Sequence, residues 1–415
     1  MRSVSNRGEQ AHSGEIAARY REVWLPVAVF LVVRALGLAV LARFAQLRHQ
    51  NLPDLLDAWD GKWMIGLATF GYDHMPWRFV DARGIHTSDT AYAFFPGYPI
   101  LVHYVALAPG LNAFRAGLLV NIVLGAAAAV AAYRLGRLCA HAMPQVPDHY
   151  ADRVGLLTTV LFVAAPMGIV MSMVYTEALY CALAGWALVG LLERRWLLAG
   201  GCTLVAGLCR PTAVVLIGVV MLAALLTVFA SERLLAGRNV GPAPAPEAGA
   251  RVRAAVCLLL APVGWLTWLL VVARHTGMLT GWFQVQTDGW GTTFDLGKQT
   301  FQFVNYTLIN GSDIADLSTV GLLGLSVVLM VVTWRSGMPW QVMLYGSLVL
   351  ISLLGSGGLM ISRPRLLLPA FVLLIPIAVA LARRSRAAQA WTCAAVVVIT
   401  CWYGAHMVSV YPHAI

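Results

Sequence analysis

Asp57 and Asp60 stand in the run DAWDGKWMIGLATFGYD, within a polar island at 46–92 of a chain otherwise rich in apolar stretches. A carboxylate within reach of a hydroxyl can take its proton as the oxygen attacks, which is worth about a hundred- to ten-thousand-fold in rate. Displacing a sugar's leaving group with inversion needs only one such base, because no covalent sugar–protein intermediate forms. Trp59 and Trp63 flank Asp60 and supply ring faces for a sugar. The same local sequence also suits a structural role, with Asp60 capping a short interfacial helix and Gly61 closing the preceding turn.

Cationic groups that answer a developing negative charge lie far along the chain. Arg363 and Arg365 in SRPRLLLP form a basic pair, and a fixed arginine stabilises the charge on a departing phosphate. Arg210 in CRPT sits where one short apolar stretch ends and another begins, with Pro211 placed for a first helical position. A lipid phosphate is a natural partner for such an arginine; a snorkelling side chain at a helix end is the plainer alternative. Glu177 in YTEAL falls between two apolar stretches. Intramembrane carboxylates are costly and usually mark a site or pathway, although a helix N-terminus also favours one. Asp54, Asp57, Asp60 and Asp73 match no calcium-loop spacing, so no metal and no other cofactor is assigned. His74, His86 and His103 are scattered and read as surface or interfacial groups, not as ligands.

These residues need a scaffold, and composition names its class. With 59% hydrophobic and 12% charged residues among 415, the chain departs from soluble proteins, which are about 25% charged. Apolar segments of about 17–25 residues recur, and lipid requires each backbone polar group to be satisfied internally. The expectation is an all-α polytopic membrane protein forming a single membrane domain over 1–415. The first segment is too long for a signal-peptide core and reads as an uncleaved helix. Seventeen of 29 basic residues gather in the N-terminal tail and in groups around 134–153, 194–195, 233–253, 335 and 383–386. Basic loops mark the cytoplasmic side. Conversely, 11 of 19 acidic residues fall in the other loops, mainly 54–89 and 288–316. The +10 net charge is thus a membrane-facing surface, and no nucleic-acid partner is required.

Alternating sidedness gives about eleven crossings: 23–44, 114–138, 154–171, 175–192, 196–209, 212–229, 255–272, 318–334, 340–358, 366–382 and 390–410. The stretch 94–109 is short, aromatic and broken by Pro96, Pro99 and Pro109, so it lies along the interface. Residues 46–110 then make a first external loop with interfacial helices. Residues 274–317 make a second that covers the first, and 231–254, containing VGPAPAPEAGA, a cytoplasmic linker. No internal repeat, Walker loop or dinucleotide fingerprint is present, and the seven cysteines avoid both external loops, so no disulfide framework is implied.

Four motifs occur in order: DAWDGKWMIGLATFGYD, AYAFFPGYP, APMGIVMSMVYTEALYCALAGWALVGLLERR and LVAGLCRPTAVVL. Together they resemble the GPI mannosyltransferase 2 (PIG-V) family, well over about residues 50–220 and loosely beyond. That family belongs to the GT-C superfamily of membrane glycosyltransferases. The resemblance implies a GT-C-type helical bundle transferring mannose, with inversion, from a polyprenyl-phosphate donor to a glycolipid or other lipid-linked acceptor on the outer membrane face. It places the base on Asp60, with Asp57 the lesser candidate. Arg363, Arg365 and Arg210 are then expected to hold the donor phosphate. Trp59, Trp63 and Tyr98 would shape the sugar pocket, with Glu177 contacting substrate. The residue pattern following Arg210 departs from the eukaryotic members. A transporter or flippase of lipid-linked sugars, a transferase of another sugar, and a non-catalytic subunit are the rival readings. Arginine outnumbers lysine 27 to 2, a bias of GC-rich bacterial genomes, which points to the plasma membrane.

Overall fold

The computed structural model describes residues 2–229, 248–311 and 313–414. Among these the protein is helical, apart from an isolated bridge between Phe294 and Ser356. Eighteen α-helices follow in order: α1 (Arg2–Leu47), α2 (Leu52–Leu56), α3 (Asp60–Phe70), α4 (Gly97–Ala106), α5 (Ala113–Ala142), α6 (Ala151–Val163), α7 (Glu177–Leu192), α8 (Trp196–Gly207) and α9 (Ala213–Phe229). The second half holds α10 (Ala248–Leu260), α11 (Val263–Thr276), α12 (Gly281–Trp290), α13 (Lys298–Asn310), α14 (Ile314–Arg335), α15 (Trp340–Gly355), α16 (Arg363–Leu366), α17 (Ile375–Ala382) and α18 (Arg386–Ser409).

Among the described residues, five helical stretches are long and apolar enough to cross a membrane: Arg21–Leu47, Ala113–Ala142, Gly249–Thr276, Ile314–Arg335 and Arg386–Ser409. A sixth is available if Met360–Leu366 and Leu368–Ala382, bent by 60°, form one broken span. This is fewer than the eleven stretches the hydropathy pattern picks out. The difference lies in length: α7, α8, α9 and α15 are apolar but only 10–17 residues long, and a straight crossing takes about 20. The stretch expected to lie along the interface contains α4, whose 10 residues are likewise too few to span. Of the expected linker at 231–254, residues up to 247 lie outside the described residues, and 248–254 already belong to α10.

The bundle is organised around α5, which packs against α1, α4, α6 and α7. Small residues let these helices approach closely, as packing in lipid favours. A Cβ on Gly136 would stand 2.7 Å from Thr158 Oγ1, and one on Gly155 would stand 2.7 Å from the Tyr133 carbonyl. Local capping sets the long helices. The Asn112 side chain accepts from Arg115 N–H at 2.9 Å to start α5, and Asp313 accepts from Asp316 N–H at 2.9 Å to start α14.

Regular helix stops where polar residues enter. The α8–α9 junction carries Arg210, the start of α7 carries Glu177, and the bent α16–α17 segment carries Arg363 and Arg365. Broken helices free backbone groups that long spans would occupy, and within a bundle such breaks survive only where neighbouring groups satisfy them.

Candidate active site

The loop that brings in Asp60 is stitched to the segment before α7. Val174 N–H donates to the Leu56 carbonyl at 3.0 Å, and the Tyr175 hydroxyl donates to the Ala58 carbonyl at 2.9 Å. The Asn121 side chain, fully buried on α5, donates to the Tyr175 carbonyl at 2.9 Å and also to the carbonyl of Met173. Helix α3 is entered through Trp59, whose backbone is left-handed at φ 50° and ψ −111°. Asp60 is consequently the first residue of α3, one place beyond the cap position held by Trp59. Its carboxylate sits at the positive end of that helix.

Asp60 Oδ2 lies 2.5 Å from Arg365 Nη1, a partner 305 residues away. The same Arg365 Nη1 is 3.7 Å from Glu177 Oε1, and Glu177 Oε1 is 3.1 Å from Arg210 Nη2. Four charges therefore alternate in a row, Asp60, Arg365, Glu177, Arg210, with no net charge. Tyrosine rings back both cations: Arg365 stands 5.1 Å from the Tyr175 ring centroid and Arg210 6.0 Å from that of Tyr180. Glu177 is 0% exposed, whereas the Asp60 side chain is 37% exposed. Burial of this depth without a partner is prohibitive for a charge, so the arginines are what allow Glu177 to be there.

Hydrogen bonding within the row is incomplete. Both Glu177 oxygens, Arg210 Nη1 and Arg365 Nε are buried and lack an aligned hydrogen-bond partner. Glu177 thus has close cations but poor donor geometry, and buried polar groups left so cost about 1–3 kcal/mol each. Groups in this condition are uncommon in folded proteins and call for a reason.

Asp60 and Arg210 line a cavity of about 140 Å³ that also touches Phe94, Phe95, Tyr175 and Gln286. The second long loop closes over it. Trp282 Nε1 and Gln286 Nε2, on α12, donate to the Ala93 carbonyl at 3.3 and 2.8 Å, and Ala82 N–H donates to the Gly289 carbonyl at 3.1 Å. The FPGYP turn fixes the opposite rim. Gly97 N–H donates to the Leu208 carbonyl at 2.7 Å, and a Cβ on Gly97 would stand 2.9 Å from both that oxygen and Cys209 Sγ. No other residue fits that approach to the α8–α9 break, which carries Arg210.

Among the residues singled out from sequence, Asp60, Glu177, Arg210 and Arg365 are brought together. The others are placed elsewhere. Arg363 is 2% exposed and donates to the Leu353 and Ser356 carbonyls at the end of α15; it finishes a helix and makes no ion pair in the row. Trp63 is buried in an aromatic stack with Phe94 (4.9 Å), Phe79 (5.1 Å) and Trp290 (5.6 Å), behind the cavity wall. Tyr98 is fully buried and donates to the Gly117 carbonyl at 3.2 Å. Trp59 packs partly buried against the core. The rings on the cavity are those of Phe94, Phe95 and Tyr175. Asp57 also stays off the cavity. Loss of solvation pushes its carboxyl above the ordinary carboxylate range, Asp54 adds to this, and Lys62 opposes it.

Sequence reasoning missed Tyr175, Thr176, Met64 and Gln286 as lining residues. Tyr175 and Thr176 were legible, since they adjoin Glu177 in one motif. Gln286 was not, because nothing local to α12 says which loop it meets. Among the described residues, no three His, Cys, Asp or Glu side chains gather into a metal-ligand set. No protein-family model and no curated protein sequence matches the chain.

Proposed function

We propose that this protein is a GT-C-type membrane glycosyltransferase that moves mannose, with inversion, from a polyprenyl-phosphate donor to a lipid-linked or glycolipid acceptor. In this reading the shorter apolar helices join the long ones to make about eleven crossings, and the cavity opens on the outer face of the plasma membrane.

One observation carries the reading. A half-exposed carboxylate on the cavity is held at one oxygen by an arginine, and buried guanidinium N–H groups of Arg210 and Arg365 beside it have no acceptor. Arg365 fixes Asp60 through Oδ2, and among the described residues Oδ1 has no protein partner. Oδ1 takes the proton of the acceptor hydroxyl as its oxygen bonds to the anomeric carbon. The bond from that carbon to the phosphate oxygen breaks, and its electron pair leaves on the phosphate. The unused N–H donors of Arg365 and Arg210 meet that charge, and donors already in place at a growing charge lower the barrier most. Glu177 offsets both cations before substrate arrives. Phe94, Phe95 and Tyr175 give the sugar apolar walls.

The test is transfer itself. Purified protein in lipid nanodiscs is given polyprenyl-phosphate mannose labelled in the sugar, together with a total membrane-lipid extract. Label is expected to move to a second lipid, with the anomeric configuration reversed in the product. Retained configuration, or label that crosses the bilayer while still on its donor, overturns the reading.

A further inference from the structure

Phe94, Phe95 and Met64 wall the cavity that holds Asp60, and its neutral hydrogen-bonding side chains are Tyr175, Thr176 and Gln286. A sugar entering such a space gives up water from its hydroxyls, and a hydroxyl left unpaired is costly. The three neutral groups differ in what they still offer. The Tyr175 hydroxyl is spent as a donor to the Ala58 carbonyl. Thr176 holds the cap position of α7 without a capping bond. Its hydroxyl turns to suit its neighbours and both donates and accepts, so it discriminates little.

Gln286 is different, because its amide cannot flip. Nε2 donates to the Ala93 carbonyl at 2.8 Å, and a carbonyl oxygen only accepts, so the amide oxygen must take the other side. Trp282 Nε1, one turn earlier on α12, donates to the same carbonyl at 3.3 Å. Two donors on one carbonyl pin α12 to the chain just before Phe94. Among the described residues, Gln286 Oε1 has no partner. An unspent acceptor of fixed direction on a cavity wall is suited to reading one hydroxyl.

We infer that Gln286 is a specificity-determining residue, whose Oε1 accepts a hydrogen bond from one hydroxyl of the transferred sugar. This assignment depends on the transfer proposed above and adds the group that selects the sugar. In that reaction the ring lies between the phosphate on the arginines and the hydroxyl activated by Asp60, the space that Gln286 borders. A site built to pair a hydroxyl rejects the analogue lacking it, since the protein oxygen is then left without its donor.

The experiment crosses a side-chain deletion with a substrate deletion, which isolates the contact between them. Native protein and Gln286→Met, which keeps the length and removes the amide, are assayed in nanodiscs. The donors are polyprenyl-phosphate mannose and its four singly deoxygenated forms. Gln286→Met is expected to lose about ten- to a hundredfold in kcat/KM on the full sugar. On one deoxy donor it should lose nothing beyond the native protein's own penalty, while the other three penalties persist. Trp282→Phe controls for the strut. It removes the other donor to Ala93 and should lower kcat/KM for all donors alike. Equal factors from Gln286→Met on every donor, or no loss on any, overturn the assignment while transfer by the native protein still stands. Erasure of the same single penalty by Trp282→Phe gives it to the position of α12 and overturns it too. If the native protein transfers nothing, the reaction falls and binding decides the residue separately. Kd values for the same donors, read from tryptophan fluorescence, should show the same single erased penalty in Gln286→Met. A flat pattern, or no binding, overturns the assignment.

Discussion

Arg363 and Arg365 lie two residues apart in one short helix, and both are buried. Their partners differ in kind. Arg363 spends its guanidinium on carbonyls at the end of α15, which is what a helix terminus needs from a cation. Arg365 answers two carboxylates, yet its Nε remains without an acceptor. In the sequence the two are alike, each an arginine beside Pro364 in an apolar setting. The difference teaches that charge in a buried place says little until its remaining hydrogen-bonding capacity is counted. A cation that has satisfied itself on backbone holds the fold, and one with donors left over beside a cavity can hold a substrate.

The sharpest way to break this contrast is at the carboxylate that Arg365 holds. Asp60→Asn keeps the shape and a weaker contact to Arg365 but cannot take a proton. Transfer should fall by about a hundred- to ten-thousand-fold while the thermal unfolding profile stays near the native one. Activity that persists would remove the base from the scheme. The arginines themselves come next. Arg365→Ala should cost about a hundred- to a thousand-fold in kcat, the scale of losing one donor aimed at developing charge. Arg363→Ala should instead lower stability by about 2–4 kcal/mol, as two carbonyls lose a charged donor, with the donor KM unchanged in the folded fraction. If both variants raise the donor KM alike, the two arginines do not divide their work.

Glu177→Gln removes the shared counter-charge without changing volume. We expect kcat to drop about tenfold, equivalent to about 1.4 kcal/mol, because Arg210 and Arg365 then repel and shift. Double substitution with Arg210→Gln should be less than additive, and independent effects would disconnect the row. Gly97→Ala tests the rim. Its methyl meets Leu208 and Cys209 at 2.9 Å, so stability should fall by about 1–3 kcal/mol in chemical denaturation.

The smallest effect concerns Asp57. Its folded carboxyl titrates above the unfolded value because of burial. Stability from this group is therefore complete below the unfolded pKa and is lost as pH rises through the folded one. Asp57→Asn should flatten the decline in melting temperature on the alkaline side of the ordinary carboxylate range. An unchanged pH profile would mean the carboxyl is solvated.

Much of the scaffold was readable because lipid imposes a simple rule. The apolar stretches at 23–44, 114–138 and 318–334 sit within α1, α5 and α14. The shorter apolar runs were less legible: α8 has 12 residues, and hydropathy does not register where α8 ends and Arg210 intrudes. Charge in an apolar setting picked out Asp60, Glu177, Arg210 and Arg365, which the fold brings together. Aromatic residues misled, since Trp63 and Tyr98 are equally suited to a core, and they serve one here. Which of two neighbouring arginines faces the carboxylates depends on a 60° bend that SRPRLLLP does not spell out.

The left-handed backbone at Trp59 has a last consequence. A side chain held there costs about 1–3 kcal/mol, and the tight entry it creates leaves no slack between the stitched carbonyl of Ala58 and the first turn of α3. Adding or deleting a single residue in that stretch would rotate α3 by about 100°. The carboxylate would then swing off Arg365 even with every other atom of the site intact, so length here is as binding a constraint as chemical identity.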